Sequence, residues 1–199
     1  MTKHTIRRKV SADEIKAVAR QQMADNGTAG ISLRGIGREL GVTAPAIYNY
    51  FSSMDDLITA LVIDAFNGLG DAVDKAVAEY APQPIAQLRA GMWAYRAWAL
   101  QHPADFQLIY GNPIPGYVAP KDVTTPLAIR PLVAFYTQLL LIWQDGNLNL
   151  PSVYDEVPES IADFIETWLY DDFPQLREYP KSLFLVMNAG WARIHGVVM

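Results

Sequence analysis

The segment 40–51 holds the side chains of this sequence that are best suited to recognise another molecule, and it reads LGVTAPAIYNYF. Hydrogen-bonding groups of three kinds lie close together there: the hydroxyl of Thr43, the amide of Asn49, and the phenols of Tyr48 and Tyr50. A helix that only fills a core does not need this polar set, and a helix lying in water rarely carries several aromatic side chains. The segment therefore predicts a surface helix that contacts a polar partner.

Capping residues divide the first 52 residues into three short helices. Ser11 and Glu14 form a capping box, in which each side chain bonds the other residue's backbone N–H. Gly27 suits the left-handed residue that ends the first helix. Ser32 is predicted to cap a second helix, which Gly41 ends. Apolar residues recur in both helices at helical spacing, so each helix is predicted to bury one face.

The third helix follows a short turn that contains Gly41. Thr43 is predicted to cap it, and Pro45 lies in its first turn, where the missing N–H costs nothing. Ile47 and Phe51 are four residues apart and are predicted to face the core. Two short helices joined by such a turn form a helix-turn-helix, whose second helix places its N-terminal residues against base edges in the major groove of DNA.

The remainder of the chain is predicted to be helical as well, with no alternating pattern typical of strands. The predicted helices cover residues 54–81, 84–101, 104–111, 126–145, 157–172 and 180–199. Gly68 and Gly70 interrupt the first of these, which predicts a kink or a close helix contact. Residues 112–126 contain four prolines and are predicted to form a long loop. The expected fold is all-α, with a helix-turn-helix domain at 1–52 and a larger helical domain at 53–199.

Charge is distributed unevenly along the 199 residues, whose net charge is −5. The first 50 residues hold eight Lys or Arg against four Asp or Glu, and the rest holds eight against seventeen. A basic head that meets an anion and an acidic body are therefore predicted. Three scattered histidines and no cysteine argue against a metal site, and no cofactor is expected. Neither a signal peptide nor a membrane span is predicted, which fits a cytoplasmic protein.

The sequence resembles the TetR family of bacterial transcriptional regulators. The resemblance covers residues 6–60 and rests on a set of positions in the head: Ile15, Ala19, Met23, Gly27, Leu33, Ile36, Leu40-Gly41-Val42, Ala46-Ile47-Tyr48-Asn49-Tyr50-Phe51 and Leu57. Near the end of the chain, Trp191-Ala-Arg-Ile-His195-Gly196 resembles the W-x-x-x-H-G motif of one C-terminal subclass.

The resemblance implies an all-α homodimer that binds a pseudo-palindromic operator in double-stranded DNA and a small-molecule effector. By position, base edges would be reached by Thr43, Ala44, Pro45 and Asn49. Tyr48 and Tyr50 would bond phosphates, and Ser32 and Arg34 would approach the DNA backbone. The cations Arg7, Arg8 and Lys9 either enter a minor groove and add salt-dependent affinity, or form a solubilising tail.

Two features depart from the family pattern. The lysine that commonly opens the fourth helix and contacts phosphate is replaced by Met54, beside Asp55 and Asp56. The family closes its dimer with the last two helices, whereas only one clear helix is predicted before the sequence stops at Met199. Either residues are missing from the sequence, or the dimer closes differently.

Aromatic residues of the body are candidates for an effector pocket between helices. The best aromatic candidates are mid-body side chains: Tyr95, Trp98, Tyr110, Phe135, Tyr136 and Trp143. Each of them taken singly is more often a core residue. Gln107 is a candidate for a polar contact in the same pocket. The expected effector is mainly apolar or aromatic.

Three functions remain open at this point. A repressor that an effector releases from DNA is favoured by the head and the aromatic body. A DNA-binding regulator without an effector would have a fully packed body. A helical enzyme is disfavoured because the sequence has no Walker loop, no His-Glu-x-x-His and no Gly-x-Ser-x-Gly.

Overall fold

The computed structural model describes residues 10–172 and 174–198, and this part of the chain contains helices and no strand. The helices are α1 Ala12–Asn26, α2 Leu33–Leu40, α3 Ala44–Tyr48, α4 Met54–Ala78, α5 Pro84–Gln101, α6 Pro103–Tyr110, α7 Lys121–Gln144, α8 Glu159–Phe164, α9 Tyr170–Asp172 and α10 Lys181–Val198. A π-helical turn, Ile165–Leu169, joins α8 to α9, and short 3₁₀ turns lie at Thr28–Gly30, Ser152–Tyr154 and Pro174–Glu178. The predicted all-α fold is confirmed.

Most of the predicted caps of the head are present. The Ser11 hydroxyl accepts a bond from the Glu14 N–H at 3.1 Å, and the Glu14 carboxylate accepts one from the Ser11 N–H at 2.9 Å. The Ser32 hydroxyl accepts a bond from the N–H of Gly35. Thr43 occupies the N-cap position of α3, but its side chain makes no capping bond there, so this part of the prediction is wrong.

Helix α7 begins five residues earlier than its prolines suggest, at Lys121 instead of 126. The predicted loop at 112–126 is correspondingly shorter. The Thr124 hydroxyl donates to the carbonyl of Pro120, which supports the first turn. Pro126 and Pro131 lie inside the helix, where each lacks one backbone N–H donor while the flanking turns continue.

Helix α7 is also, by length and composition alone, apolar enough to cross a membrane, and no other helix in the described part of the chain is. A core helix of a soluble protein passes the same test, so the observation is weak evidence for a membrane span.

The two glycines in the middle of α4 mark close side-chain contacts, and the helix continues through both of them. A Cβ atom at Gly68 would lie 3.2 Å from the indole nitrogen of Trp98. One at Gly70 would lie 2.8 Å from Cδ of Arg130. Of the two predicted explanations, the close contact is therefore the one observed.

The chain forms two compact units. The first contains the chain up to Asp71 together with Ala97–Arg130, and the second contains Ala72–Arg96 and the chain from Pro131 onward. The chain passes between units within α4, α5 and α7. The boundary predicted between residues 52 and 53 stays a prediction.

The first unit is built on an apolar core contributed by α1 to α4. Its fully buried members come from each of these helices: Ile15, Ala19, Ile36, Ile47, Leu57 and Leu61. Ala104 and Leu108 of α6 pack against the same core. The predicted inward faces of the head helices are confirmed, and the head is anchored on α4 and α6.

A network of ion pairs joins α1 to α4 and α6 in this unit. The Arg20 guanidinium donates to both carboxylate oxygens of Asp105, at 2.8 and 3.1 Å, and to Asp64 at 3.2 Å. Lys16 donates to the same oxygen of Asp64 at 2.7 Å. Burial opposes the charged form of Asp64, but the hydrogen bonds from Lys16 and Arg20 outweigh it and lower the pKa of this carboxyl.

The second unit contains an aromatic cluster around Tyr95, whose side chain is fully buried. The phenol of Tyr95 lies 2.9 Å from Nδ1 of His195. Its ring contacts Phe135 and Trp191 edge-on, at centroid distances of 6.2 and 5.2 Å, and Trp191 stacks on His195. His195 is therefore a packing residue of this cluster. Burial lowers the pKa of His195.

We expect Asp105→Asn to lower the free energy of unfolding by about 1–3 kcal/mol, because both oxygens of this largely buried carboxylate accept from Nε of Arg20. Asp71→Asn is the matched control, since that carboxylate is exposed and pairs with Arg130 at the surface. It should change stability by less than ~1 kcal/mol. Urea denaturation of both variants measures the difference, and equal effects would contradict the structural role of Arg20 and Asp105.

The partly buried imidazole of His195 predicts an acid-sensitive stability. Since the folded protein holds the pKa of His195 below its value of about 6.5 in the unfolded chain, the unfolded chain takes up the proton first. Stability is therefore lost as pH falls from about 6.5 through the folded pKa. His195→Gln should reduce the loss of stability between about pH 7.5 and 5.5, measured by urea denaturation at each pH.

Tyr95→Phe is the control for that experiment. It removes the hydrogen bond to His195 but leaves the imidazole partly buried, so it should lower stability at both pH values without flattening the pH dependence. A His195→Gln variant whose pH dependence parallels that of the wild type would show that other groups are responsible.

Candidate functional site

The turn between α2 and α3 is held in one conformation by two glycines. Gly41 adopts φ 69°, a left-handed conformation, and its N–H donates to the carbonyl of Arg38 at 3.3 Å. The N–H of Val42 donates to the carbonyl of Gly37 at 2.8 Å. A Cβ at Gly37 would lie 2.9 Å from the carbonyl oxygen of Val42, so a side chain there would push the turn open. These contacts set the angle at which α3 leaves α2.

The surface of α3 presents most of the residues that were predicted to reach DNA. Ile47 is fully buried and anchors the helix. Exposed or half-buried residues surround it: Thr43, Ala44, Pro45, Tyr48 and Asn49. The helix contains only five residues, and Asn49 lies just after its end, in the C-cap position. The structure therefore brings these side chains together on one short exposed element.

The Tyr50 hydroxyl has a hydrogen-bond partner within the protein. Its hydroxyl donates to the backbone carbonyl of Val10, the residue just before the first cap. Because this proton is used within the protein, Tyr50 cannot donate it to a phosphate in the same arrangement. In this arrangement the hydroxyl joins the segment before α1 to the end of α3, and a phosphate contact of Tyr50 stays a prediction.

The described head offers fewer unpaired cations to an external anion than the sequence suggests. Lys16 and Arg20 both bond to Asp64, and Arg20 also bonds to Asp105, so these two cations are already paired. Ser32 and Arg34 are exposed at the start of α2, as predicted. Arg7, Arg8 and Lys9 lie outside the described residues.

Arg38 is a residue that the sequence interpretation missed. It lies four residues after Arg34 on α2, is also exposed, and has no carboxylate in ion-pair distance among the described residues. The i, i+4 spacing that puts both guanidinium groups on one side of the helix was visible in the sequence.

The start of α4 is occupied by its own capping groups. The Ser53 hydroxyl accepts a bond from the N–H of Asp56 at 3.0 Å, and the Ser52 hydroxyl donates to the Asp56 carboxylate. The hydrogen bond from Ser52 lowers the pKa of Asp56, so this carboxylate is ionised at neutral pH. Met54 packs against the apolar clusters of the first unit. This helix end is therefore a poor phosphate site.

The predicted effector residues are divided between the two units. Trp98, Gln107 and Tyr110 belong to the first unit, where Trp98 packs on Gly68 and Gln107 is exposed. Tyr95, Phe135, Tyr136 and Trp143 belong to the second unit.

A cavity of about 470 Å³ lies within the second unit. It contains two of the predicted residues, Phe135 and Tyr136. Its other lining residues come from α5, from residues 151–154 and from α10: Leu88, Met92, Pro151, Val153, Tyr154, Val186, Met187, Gly190, Trp191, Arg193 and Ile194, with Leu139 of α7. Apolar residues at helical spacing predict burial but do not distinguish a packed core from a cavity wall, so sequence reasoning missed most of them.

Family models match both parts of the chain. The model of bacterial regulatory proteins of the tetR family matches residues 15–61, and the tetracyclin repressor-like C-terminal domain matches residues 88–199. The second match alone covers more than half of the chain.

Known proteins agree with this assignment. The HTH-type transcriptional regulator Rv1816 of Mycobacterium tuberculosis (strain ATCC 25618 / H37Rv) is 36% identical over 191 residues, covering 93% of this chain and 77% of that protein. The crystal structure of SCO4313 has a TM-score of 0.72 and 30% identity over 94% of this chain and 81% of that one. The TetR family regulator PfmR from Thermus thermophilus shares the fold, with a TM-score of 0.58 and 20% identity over 91% of this chain and 96% of that one. The chain belongs to the TetR family and is a DNA-binding transcriptional regulator.

Proposed function

We propose that this regulator is a homodimeric repressor that leaves a pseudo-palindromic operator when a small, mainly apolar or aromatic effector binds. The observation that carries the proposal is the apolar cavity within the second unit. A regulator that needs no effector would be expected to pack this space, and its volume lies in the range of ligand pockets.

At the operator, α3 would supply the sequence-reading contacts. Asn49 can pair with adenine through two hydrogen bonds, and the Thr43 methyl and Ala44 can contact a thymine methyl. Tyr48, which is half exposed, and Ser32 would bond phosphates, with Arg34 and Arg38 adding charge. The arm Arg7-Arg8-Lys9 would add salt-dependent affinity.

The proposed mechanism is a population shift between two dimer states. In a dimer, two recognition helices match half-sites about 34–36 Å apart only when the heads hold one separation. An effector that binds better to a dimer with another separation would release the DNA. Helix α4 is the proposed transmitter, since it contributes residues to both units and continues without a break through Gly68 and Gly70.

The ion pairs of Arg20 support this route. They join α1 to Asp64 on α4 and to Asp105 on α6. A displacement of either helix would therefore carry the head with it, because a charged pair in a partly buried site resists separation.

Further features of the proposal rest on the C-terminal part of the chain. Trp191, His195 and Gly196 would place the chain in the subclass with the W-x-x-x-H-G motif, whose tryptophan and histidine here pack on Tyr95. We also propose that the regulator acts in the cytoplasm, where its operator DNA lies, without a cofactor and without a membrane partner.

Substitutions of Tyr48 in α3 and of Asn49 just after it should separate the specificity of DNA binding from its affinity. Asn49→Ala should lower the preference for the operator over a mismatched sequence by about 1–3 kcal/mol, because the amide would no longer bond a base. Tyr48→Phe should weaken binding to all sequences to a similar degree, since a phosphate contact carries no sequence information. Fluorescence anisotropy with DNA from the protein's own upstream region and a mismatched duplex measures both.

The same titrations test the repressor assignment when apolar and aromatic compounds are added. Release of operator DNA by one of them supports the proposal. Specific binding that no such compound weakens, with transcription unchanged or raised by the protein, would argue for a regulator without an effector.

Salt dependence should report on the two arginines of α2. Arg34→Ala and Arg38→Ala should each reduce the slope of log K against log salt by about one unit per cation removed. Arg89→Ala removes an exposed arginine of the second unit and is the matched control. Unchanged slopes for both α2 variants would show that α2 does not face the phosphates.

A further inference from the structure

The cavity of the second unit has walls from three helices and one short turn. Leu88 and Met92 come from α5, Leu139 from α7, Val153 from the turn and Ile194 from α10. Hydrocarbon side chains of this kind cannot hydrogen-bond water, so an apolar occupant is favoured over solvent in this space.

Gly190 opens one wall of the cavity. It lies in the middle of α10, where glycine weakens a helix relative to alanine. A Cβ at Gly190 would meet no atom within 4 Å, so no neighbouring group in the described structure requires a glycine there. The missing side chain leaves space that belongs to the cavity, which is what an occupant would need.

Arg193 is the one charged residue among the residues that line the cavity. It follows Gly190 by three residues, almost one helical turn, and it is exposed. Among residues 10–172 and 174–198, no carboxylate lies within ion-pairing distance of its guanidinium. A cation with no ion-pair partner in the described part of the chain, at a cavity lined mainly by apolar side chains, is complementary to an anion attached to an apolar body.

Two phenols accompany this cation in the lining, on Tyr136 and Tyr154. The Tyr136 hydroxyl lies 3.4 Å from Oδ1 of Asn188, a long contact that a better acceptor could replace. Burial raises the pKa of Tyr136, so its hydroxyl keeps its proton at neutral pH and can donate it.

We propose that the effector is an amphipathic monoanion, whose hydrocarbon part fills the cavity beside Gly190 and whose carboxylate bonds Arg193. The inference rests on the proposed effector-controlled function and names the chemical class of that effector. Its polar contacts would be the guanidinium of Arg193 and a phenol, and the rest of its surface would meet only apolar side chains.

Binding of sodium decanoate and of decanol to the full chain tests the inference, because the two probes share a hydrocarbon chain and differ in charge. Tryptophan fluorescence is a suitable signal, since Trp191 lines the cavity. Arg193→Gln should weaken decanoate binding about tenfold and leave decanol binding within about twofold. Arg193→Lys, which keeps the charge, should restore most of the decanoate affinity.

Two glycine variants on the same helix locate the hydrocarbon part. Gly190→Leu should abolish binding of both probes by filling the cavity. Gly196→Leu should leave both unaffected, because a Cβ there also meets no atom within 4 Å but Gly196 does not line the cavity. Equal effects of the two variants would overturn the proposed location.

Three results would overturn the inference. They are binding of neither probe by the wild type, equal affinity for both probes with no effect of Arg193→Gln, and a fall in the mass of the Gly190→Leu variant in solution from dimer to monomer. The last would show that a second copy of the chain covers this face.

An operator-release titration keeps this inference separate from the proposed function. If decanoate binds with the expected response to Arg193→Gln and Gly190→Leu but operator DNA stays bound, the binding site stands and release by that ligand fails. If a neutral apolar compound releases the operator and Arg193→Gln does not change this release, the proposed repressor function is supported and the proposed anionic class of the effector is wrong.

Discussion

The pairing of Arg20 with Asp105 and Asp64 is the contact on which the position of the DNA-binding head depends. It joins the first helix of the head to α4 and to α6 with charge-assisted hydrogen bonds of 2.8–3.2 Å. The apolar core beneath the head buries Ile15 and Leu57. Apolar contacts alone specify the distance between packed helices better than the direction in which one helix lies on the other. The bonds from Nε of Arg20 to both oxygens of Asp105 add the direction, because hydrogen bonds between a planar guanidinium and a carboxylate form in few orientations.

The same pairing changes the electrostatics of the head. Counted along the sequence, the first 50 residues carry eight cations, which suggests a broad basic surface. Lys16 and Arg20 hold carboxylates that come from outside this segment, at positions 64 and 105. The cations left on the described head for an external anion are Arg34 and Arg38, both on α2. Charge that appears in the sequence as DNA-binding potential is thus partly used to hold the fold together.

Much of the head was predictable because its determinants are local. The box of Ser11 and Glu14, the left-handed Gly41 and the inward positions Ile47 and Phe51 depend on residues at most five positions apart. Two features departed from expectation for different reasons. Tyr50 bonds a carbonyl forty residues away, which no spacing could indicate. The reason is local for Pro126, which was expected to end a loop, whereas α7 continues through it because the turns around it supply the remaining backbone bonds.

The sequence by itself determined the helical fold, most caps of the head, the helix-turn-helix and the family, because propensity, capping and periodicity act over one or two turns. Only the tertiary structure decided which aromatic residues line a cavity and which fill a core. Tyr95 and Phe135 are both aromatic residues among apolar residues at helical spacing, yet only Phe135 lines the cavity. The tertiary structure also decided the space around Gly190, because its neighbours in the chain do not show that a Cβ there would meet no atom within 4 Å. Cavities arise where surfaces of separate helices do not meet, and that is a property of packing in three dimensions.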